Sequence, residues 1–132
     1  NPREFLASVK TNQSVKYMMI SVPLFSPCVM VETVFPNVMQ RQLSAGHTHL
    51  FTEKSLRYLT GEYGLSIVSE WWFGTDLVDI FRSVSVELGR DKKTSSLVQP
   101  WSDMIAPLID QMQKTIDKAK ISSEVHMLLR FE

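Results

Sequence analysis

Residues 45–68 read AGHTHLFTEKSLRYLTGEYGLSIV. A whole helix-to-strand transition can be read from this stretch. Thr52 has the side chain of a helix N-cap, and Glu53 follows in the first turn, where a negative charge meets the positive end of the helix dipole. Leu56, Leu59 and Tyr63 recur at helical spacing, and Gly64 is the expected left-handed stop. LSIVSEWW follows at once as a strand, which Gly74 breaks. His47 and His49 stand one residue apart just ahead of the helix. Their spacing leaves open whether they do chemistry or only close a loop.

Upstream, NPREFLASV reads as a helix start. Asn1 suits the N-cap, Pro2 the first helical position and Glu4 the third residue after the cap, while Phe5, Leu6 and Val9 form a short apolar stripe. A chain whose first residue is already a cap reads as a piece of something longer. Tyr17–Val22 is a continuous apolar run broken only by Ser21. It predicts a strand buried on both faces, with helices on each side, ended by Pro23 and Pro27. Residues 29–43 predict a long excursion with a short helix around 38–43; connections of this length are usually functional or mobile.

Downstream, Asp76 is the expected cap of a helix lined by Leu77, Phe81, Val84 and Leu88 and ended by Gly89. RDKKTSSLVQP predicts a polar loop. A further helix follows from Trp101, striped by Leu108, Met112, Ile116 and Ala119, which kinks or begins at Pro107. Residues 122–131 alternate as a strand, with Val125, Met127 and Leu129 on one face. The order is helix, strand, excursion, helix, strand, helix, helix, strand, an α/β alternation.

The chain has 132 residues, 44% of them hydrophobic, which bounds it to one domain. Fourteen basic and fourteen acidic residues leave no net charge, so nothing favours nucleic acid or an anionic membrane surface as partner. The single cysteine, Cys28, excludes an internal disulfide or a multi-cysteine zinc site and reads as a small buried hydrophobe. No run of about 18 apolar residues predicts a membrane span, and no signal-peptide pattern opens the chain. A reduced, cytoplasmic setting is the expectation.

Four stretches carry a resemblance. NPREFLASVK resembles the helix before the fifth strand of class I S-adenosylmethionine-dependent methyltransferases of the type 11, 12 or 23 kind. MMISVP resembles that fifth strand, and HTHLFTEKSLRYLTGEYGLSIV is similar to the family's run through a helix into the sixth. SSEVHMLLRF looks like its closing seventh strand. The resemblance implies the C-terminal half of a Rossmann-like methyltransferase sheet over residues 1–132: three strands, the last antiparallel, with flanking helices. The chain departs from the family at TNQSVK, where relatives have a glycine-rich turn, and at Leu24 after Pro23. Its helical segment between the last two strands is also longer. The five glycines contain no GxG, so the half that would hold S-adenosylmethionine is missing, and no cofactor-binding residue is assigned in this chain.

For His47 and His49 three readings stand: loop capping, contact with a methyl acceptor, or metal binding. A neutral histidine over the carboxyl edge of a sheet could hydrogen-bond or deprotonate an acceptor hydroxyl. His49 aligns better with the family histidine and is the candidate catalytic residue; His47, His49 and Trp72 are the candidate substrate contacts. An H-x-H pair offers two ligands at most, and no metal site is assigned. Trp71 and Trp72 must point to opposite faces of a strand, so at least one belongs to the core. His126 reads as a partly buried sheet residue and the scattered methionines as core filling.

The expected function is therefore the C-terminal part of a methyltransferase acting on a small-molecule acceptor, partnered by the missing N-terminal half of its own domain. The alternative is a non-catalytic α/β binding or assembly module. In the resembled fold the strand at Tyr17–Val22 would pair with residues 124–130 on one side and with an absent strand on the other. An unpaired apolar edge is a template for another chain, and bare apolar surface costs about 25 cal/mol per Å² in water. Residues 1–132 are expected to self-associate at micromolar concentration. Light scattering or sedimentation checks this, and a strictly monomeric species contradicts it.

Overall fold

The computed structural model describes residues 1–12, 14–44 and 46–132. The elements are α1 (Pro2–Thr11), β1 (Tyr17–Pro23), α2 (Pro27–Val34), α3 (Glu53–Glu62), β2 (Leu65–Phe73), α4 (Asp76–Arg90), α5 (Val98–Ile105), α6 (Ile109–Lys118) and β3 (Glu124–Phe131). The strands form one sheet in the order β1-β3-β2. β3 is antiparallel to β1, from Tyr17↔Arg130 to Pro23↔Glu124. It is also antiparallel to β2, from Leu65↔Phe131 to Phe73↔Glu124, with a bulge between Ile67 and Ser69.

This overturns the Rossmann-like half-sheet. The chain is α/β, but every strand ladder is antiparallel and no mixed sheet forms. The physical reason lies in β1. Parallel sheets are covered on both faces by their crossover helices, and their strands are buried throughout. In β1 burial alternates instead: Met18, Ile20 and Val22 turn inward, while Tyr17, Met19 and Ser21 are exposed. An apolar run does not by itself distinguish two-sided burial from a one-sided strand whose outward residues are also apolar.

The core lies on the inward face. Leu6 of α1 and Leu56 of α3 pack on Leu65, Trp72, Val125, Met127 and Leu129, with Leu24 closing the end. Asn1 caps α1 by accepting from the Arg3 N–H. Thr52 and Ser55 form a reciprocal capping box at α3. Gly64 follows α3 at φ +62°, the left-handed stop expected of it. The opposite face, carrying Tyr17, Met19, Ser69, Trp71 and Leu128, has no helix over it among the described residues; Met19 is 67% and Trp71 63% exposed.

Three local expectations change. The excursion's helix is α2, begun by Ser26 accepting from the Cys28 N–H with Pro27 at the first position; residues 38–43 form turns and bends. The stretch 90–100 is not a plain loop, since Ser95–Leu97 makes a 3-10 turn and α5 starts at Val98. Thr75, not Asp76, stands at the start of α4, and Asp76 is fully buried. Pro107 lies in the 3-10 turn joining α5 to α6. Among the described residues no helix is long and apolar enough to cross a membrane.

Gly74 owes its place to close approach. A Cβ there would strike the Ser123 hydroxyl and lie 2.6 Å from Asp76 Oδ2 and 2.9 Å from the Ser123 nitrogen. Gly74→Ala therefore has to push β3's start away from α4. It is expected to cost about 3 kcal/mol, from overpacking plus the strained Ser123–Asp76 bond. Urea unfolding against wild type is the check, and a loss under 1 kcal/mol would contradict it.

Candidate functional site

The chain leaves the sheet at Pro23 and returns at Phe51. The two ends are pinned together: Phe25 N–H donates to the Phe51 carbonyl (2.7 Å) and Phe51 N–H to the Pro23 carbonyl (3.1 Å). Between them, the excursion is held from below by a buried polar cluster where α2 meets α4.

Glu32 is the centre of that cluster and is 5% exposed. Its carboxylate accepts the backbone N–H groups of Arg41 (2.7 Å), Gln42 (2.8 Å) and Leu43 (2.9 Å). Burial alone would raise its pKa, but these three donors outweigh burial and hold it below the ordinary 4.5. Asp79 pairs with Arg41 (3.1 Å) and Arg82 (3.2 Å). Arg82 also donates to the Met39 carbonyl at 3.0 Å. The Cys28 thiol sits between Glu32 (3.6 Å) and Asp79 (3.5 Å). Burial, with the Asp79 and Glu32 charges adding to it, pushes this thiol far up, so it stays a protonated S–H donor. Cys28 is buried as expected, but inside a polar network.

Asp76 is the second hub. It accepts from Ser26 Oγ (2.6 Å), the Ser123 N–H (2.9 Å), the Cys28 N–H (3.3 Å) and Gln113 Nε2 (3.5 Å). Each oxygen of Glu32, Asp76 and Asp79 already has a partner. With their oxygens fully engaged the three carboxylates are scaffold; Arg82 Nε and Gln42 Oε1 are the buried atoms beside them that have no partner among the described residues.

The expected site residues do not come together. Gln42, whose N–H is held by Glu32, turns its carbonyl to His47 Nδ1 at 3.2 Å. His47 follows Gly46, whose φ of +82° is the left-handed geometry glycine adopts without penalty. It borders a cleft of about 180 Å³ with Ser21, Val22, Pro23 and Glu124. His49 is exposed, contacts Thr48 Oγ1 at 2.9 Å and stacks on Phe51 with centroids 6.2 Å apart. Trp72 is 7% exposed in the core, with Lys120 Nζ 5.6 Å from its ring. Its cleft, shared with Leu24, Phe51 and Lys120, contains neither histidine. Trp71 is the outward tryptophan, stacked on Phe73 (4.6 Å) with His126 edge-on at 5.6 Å.

Sequence reasoning passed over Glu32 and Asp79. A lone acid in the apolar helix PCVMVETV was the available signal, because a carboxylate there must find donors.

S-adenosylmethionine does not fit the residues present. The backbone cradle at Gly74 is filled by Ser123 and Asp76, and the buried carboxylates have no acceptor capacity left for ribose hydroxyls. Among the described residues no group of three or more His, Cys, Asp or Glu could hold a metal ion. Comparison with protein-family models, curated proteins and solved structures finds no match.

Removing the Glu32 carboxylate strands three N–H groups. Glu32→Ala is expected to cost about 3–5 kcal/mol and Glu32→Gln about half of that. Because the folded pKa is depressed, the carboxylate's contribution is fully present above its ordinary 4.5 and is lost as pH falls through the folded value. Urea midpoints measured between pH 3 and 7 test both points: the gap between wild type and Glu32→Gln should shrink as the pH drops below 4.5.

Proposed function

We propose that residues 1–132 form the acceptor-side part of an S-adenosylmethionine-dependent methyltransferase for a small molecule, with the methyl donor held by another part of the protein. The supporting observation is the excursion between Pro23 and Phe51. It is pinned at both ends, fixed from below by Glu32, and brings His47 over the end of β1 beside a polar cleft. A preformed concave site with few, well-placed polar groups is what an acceptor pocket needs. The sequence run from His47 to Val68 supplies the link to methyl transfer.

One observation favours the non-catalytic reading. The open sheet face, with Tyr17, Met19 and Trp71 outward, suits a binding or assembly module.

Calorimetric titration separates the two. The protein with its complete domain is expected to bind S-adenosylmethionine stoichiometrically, and residues 1–132 alone to show no binding. Absence of binding by the complete protein rejects the enzyme and leaves the assembly module. Tight binding to residues 1–132 would mean that the cofactor site lies within them after all.

A further inference from the structure

His47 carries a nitrogen that is oriented and unused. The Gln42 main-chain oxygen can only accept, so its 3.2 Å contact requires the proton on Nδ1. In the neutral ring Nε2 is then an acceptor, and none of the described residues bonds it. Glu124, on the same cleft, forms no side-chain hydrogen bond or ion pair with the described residues, and an ionised carboxylate only accepts. Ser21 adds a hydroxyl and Pro23 an aliphatic ring, while the Val22 side chain turns inward to the core. No Phe, Tyr or Trp borders the cleft, so apart from the His47 ring itself it offers no platform for stacking a flat ring.

Two acceptors without a partner among the described residues, beside a Ser21 hydroxyl that can donate or accept, suit a ligand that brings donors. We infer that this cleft binds a saturated ring bearing two neighbouring hydroxyls, the pattern of a sugar, with one hydroxyl donating to His47 Nε2 and the other to Glu124. The C–H face of such a ring suits Pro23. A cationic amine is less well served, because one half-exposed carboxylate is the sole charge on the cleft wall. This names the acceptor class of the proposed pocket and rests on that reading only for the reaction. Binding is tested without a methyl donor, so the two fail separately.

The test is NMR titration of residues 1–132, labelled with nitrogen-15, with cis-1,2-cyclohexanediol. The expected result is a saturable shift of His47 Nε2 and of the Ser21 and Glu124 amides. Cyclohexanol, which lacks one donor, should bind about tenfold more weakly, the scale of one lost hydrogen bond. His47→Phe and Glu124→Gln should each weaken the diol by about the same factor. An unshifted His47, equal binding of cyclohexanol, or tighter binding of cyclohexylamine overturns the inference. So do shifts confined to the face around Trp71. The wild-type titration stands without the variants, so a variant that misfolds does not rescue the inference.

Discussion

A single carboxylate sets the shape of the excursion. Glu32 lies on α2, and the three consecutive N–H groups it accepts lie nine to eleven residues further on. A buried ionised carboxylate is costly unless its lone pairs are filled, and buried backbone N–H groups are costly unless they have acceptors. Each solves the other's problem, so residues 41–43 cannot leave α2 without exposing two penalties at once. The hold passes outward through one peptide unit on either side of Gln42. Its N–H is fixed by Glu32, and its carbonyl then fixes the tautomer of His47. Arg41, placed by the same three donors, reaches Asp79 on α4 and ties the excursion to the helical segment between β2 and β3.

The sheet constrains this arrangement from the other side. β1 and β2 both end where β3 begins, since Pro23 and Phe73 are each opposite Glu124. Everything that leaves or enters the sheet at that edge must share a small space. Ser123, one residue before β3, donates to Asp76, one residue before Leu77 in α4. Gly74 fits between them only because it has no Cβ. At the packed face's margin a second charged group does similar work: Lys120, Glu70, Glu53 and Arg57 link the start of α3 to β2 and to the turn before β3. These pairs are part-exposed, so they add register and orientation more than stability.

Elements governed by local rules were legible in the sequence. The caps at Asn1 and Thr52, the stop at Gly64, the breaks at Pro23 and Gly74 and the alternation of residues 124–131 each follow from a few neighbouring residues. What failed needed knowledge of distant partners. Asp76 looks like a cap because capping is what an aspartate at that position does alone; Ser26, Gln113 and Ser123 lie 37 to 50 residues away and recruit it inward. Residues 38–43 have helix-forming composition, but the N–H groups of Arg41, Gln42 and Leu43 go to Glu32 and not to carbonyls four residues back, and tertiary bonding overrides propensity. β1 reads as two-sided because Tyr17 and Met19 are apolar, although nothing among the described residues covers them. Of the candidate site the sequence singled out the loop with His47 and His49; the structure sets His47 against the Gln42 carbonyl and His49 beside Thr48 and Phe51, a difference that their one-residue spacing does not carry.

Polar satisfaction separates scaffold from site. Glu32, Asp76 and Asp79 are the most buried acids of the chain, and burial of charge is often a mark of function. Here every one of their oxygens is engaged, and the thiol they surround is held protonated, so these groups have no free acceptor or nucleophile to offer a ligand. His47 and Glu124 are less buried and make fewer bonds, yet each presents an acceptor that none of the described residues uses. The buried cluster fixes the excursion, and this rigidity keeps those two acceptors facing one cleft without collapsing onto internal donors.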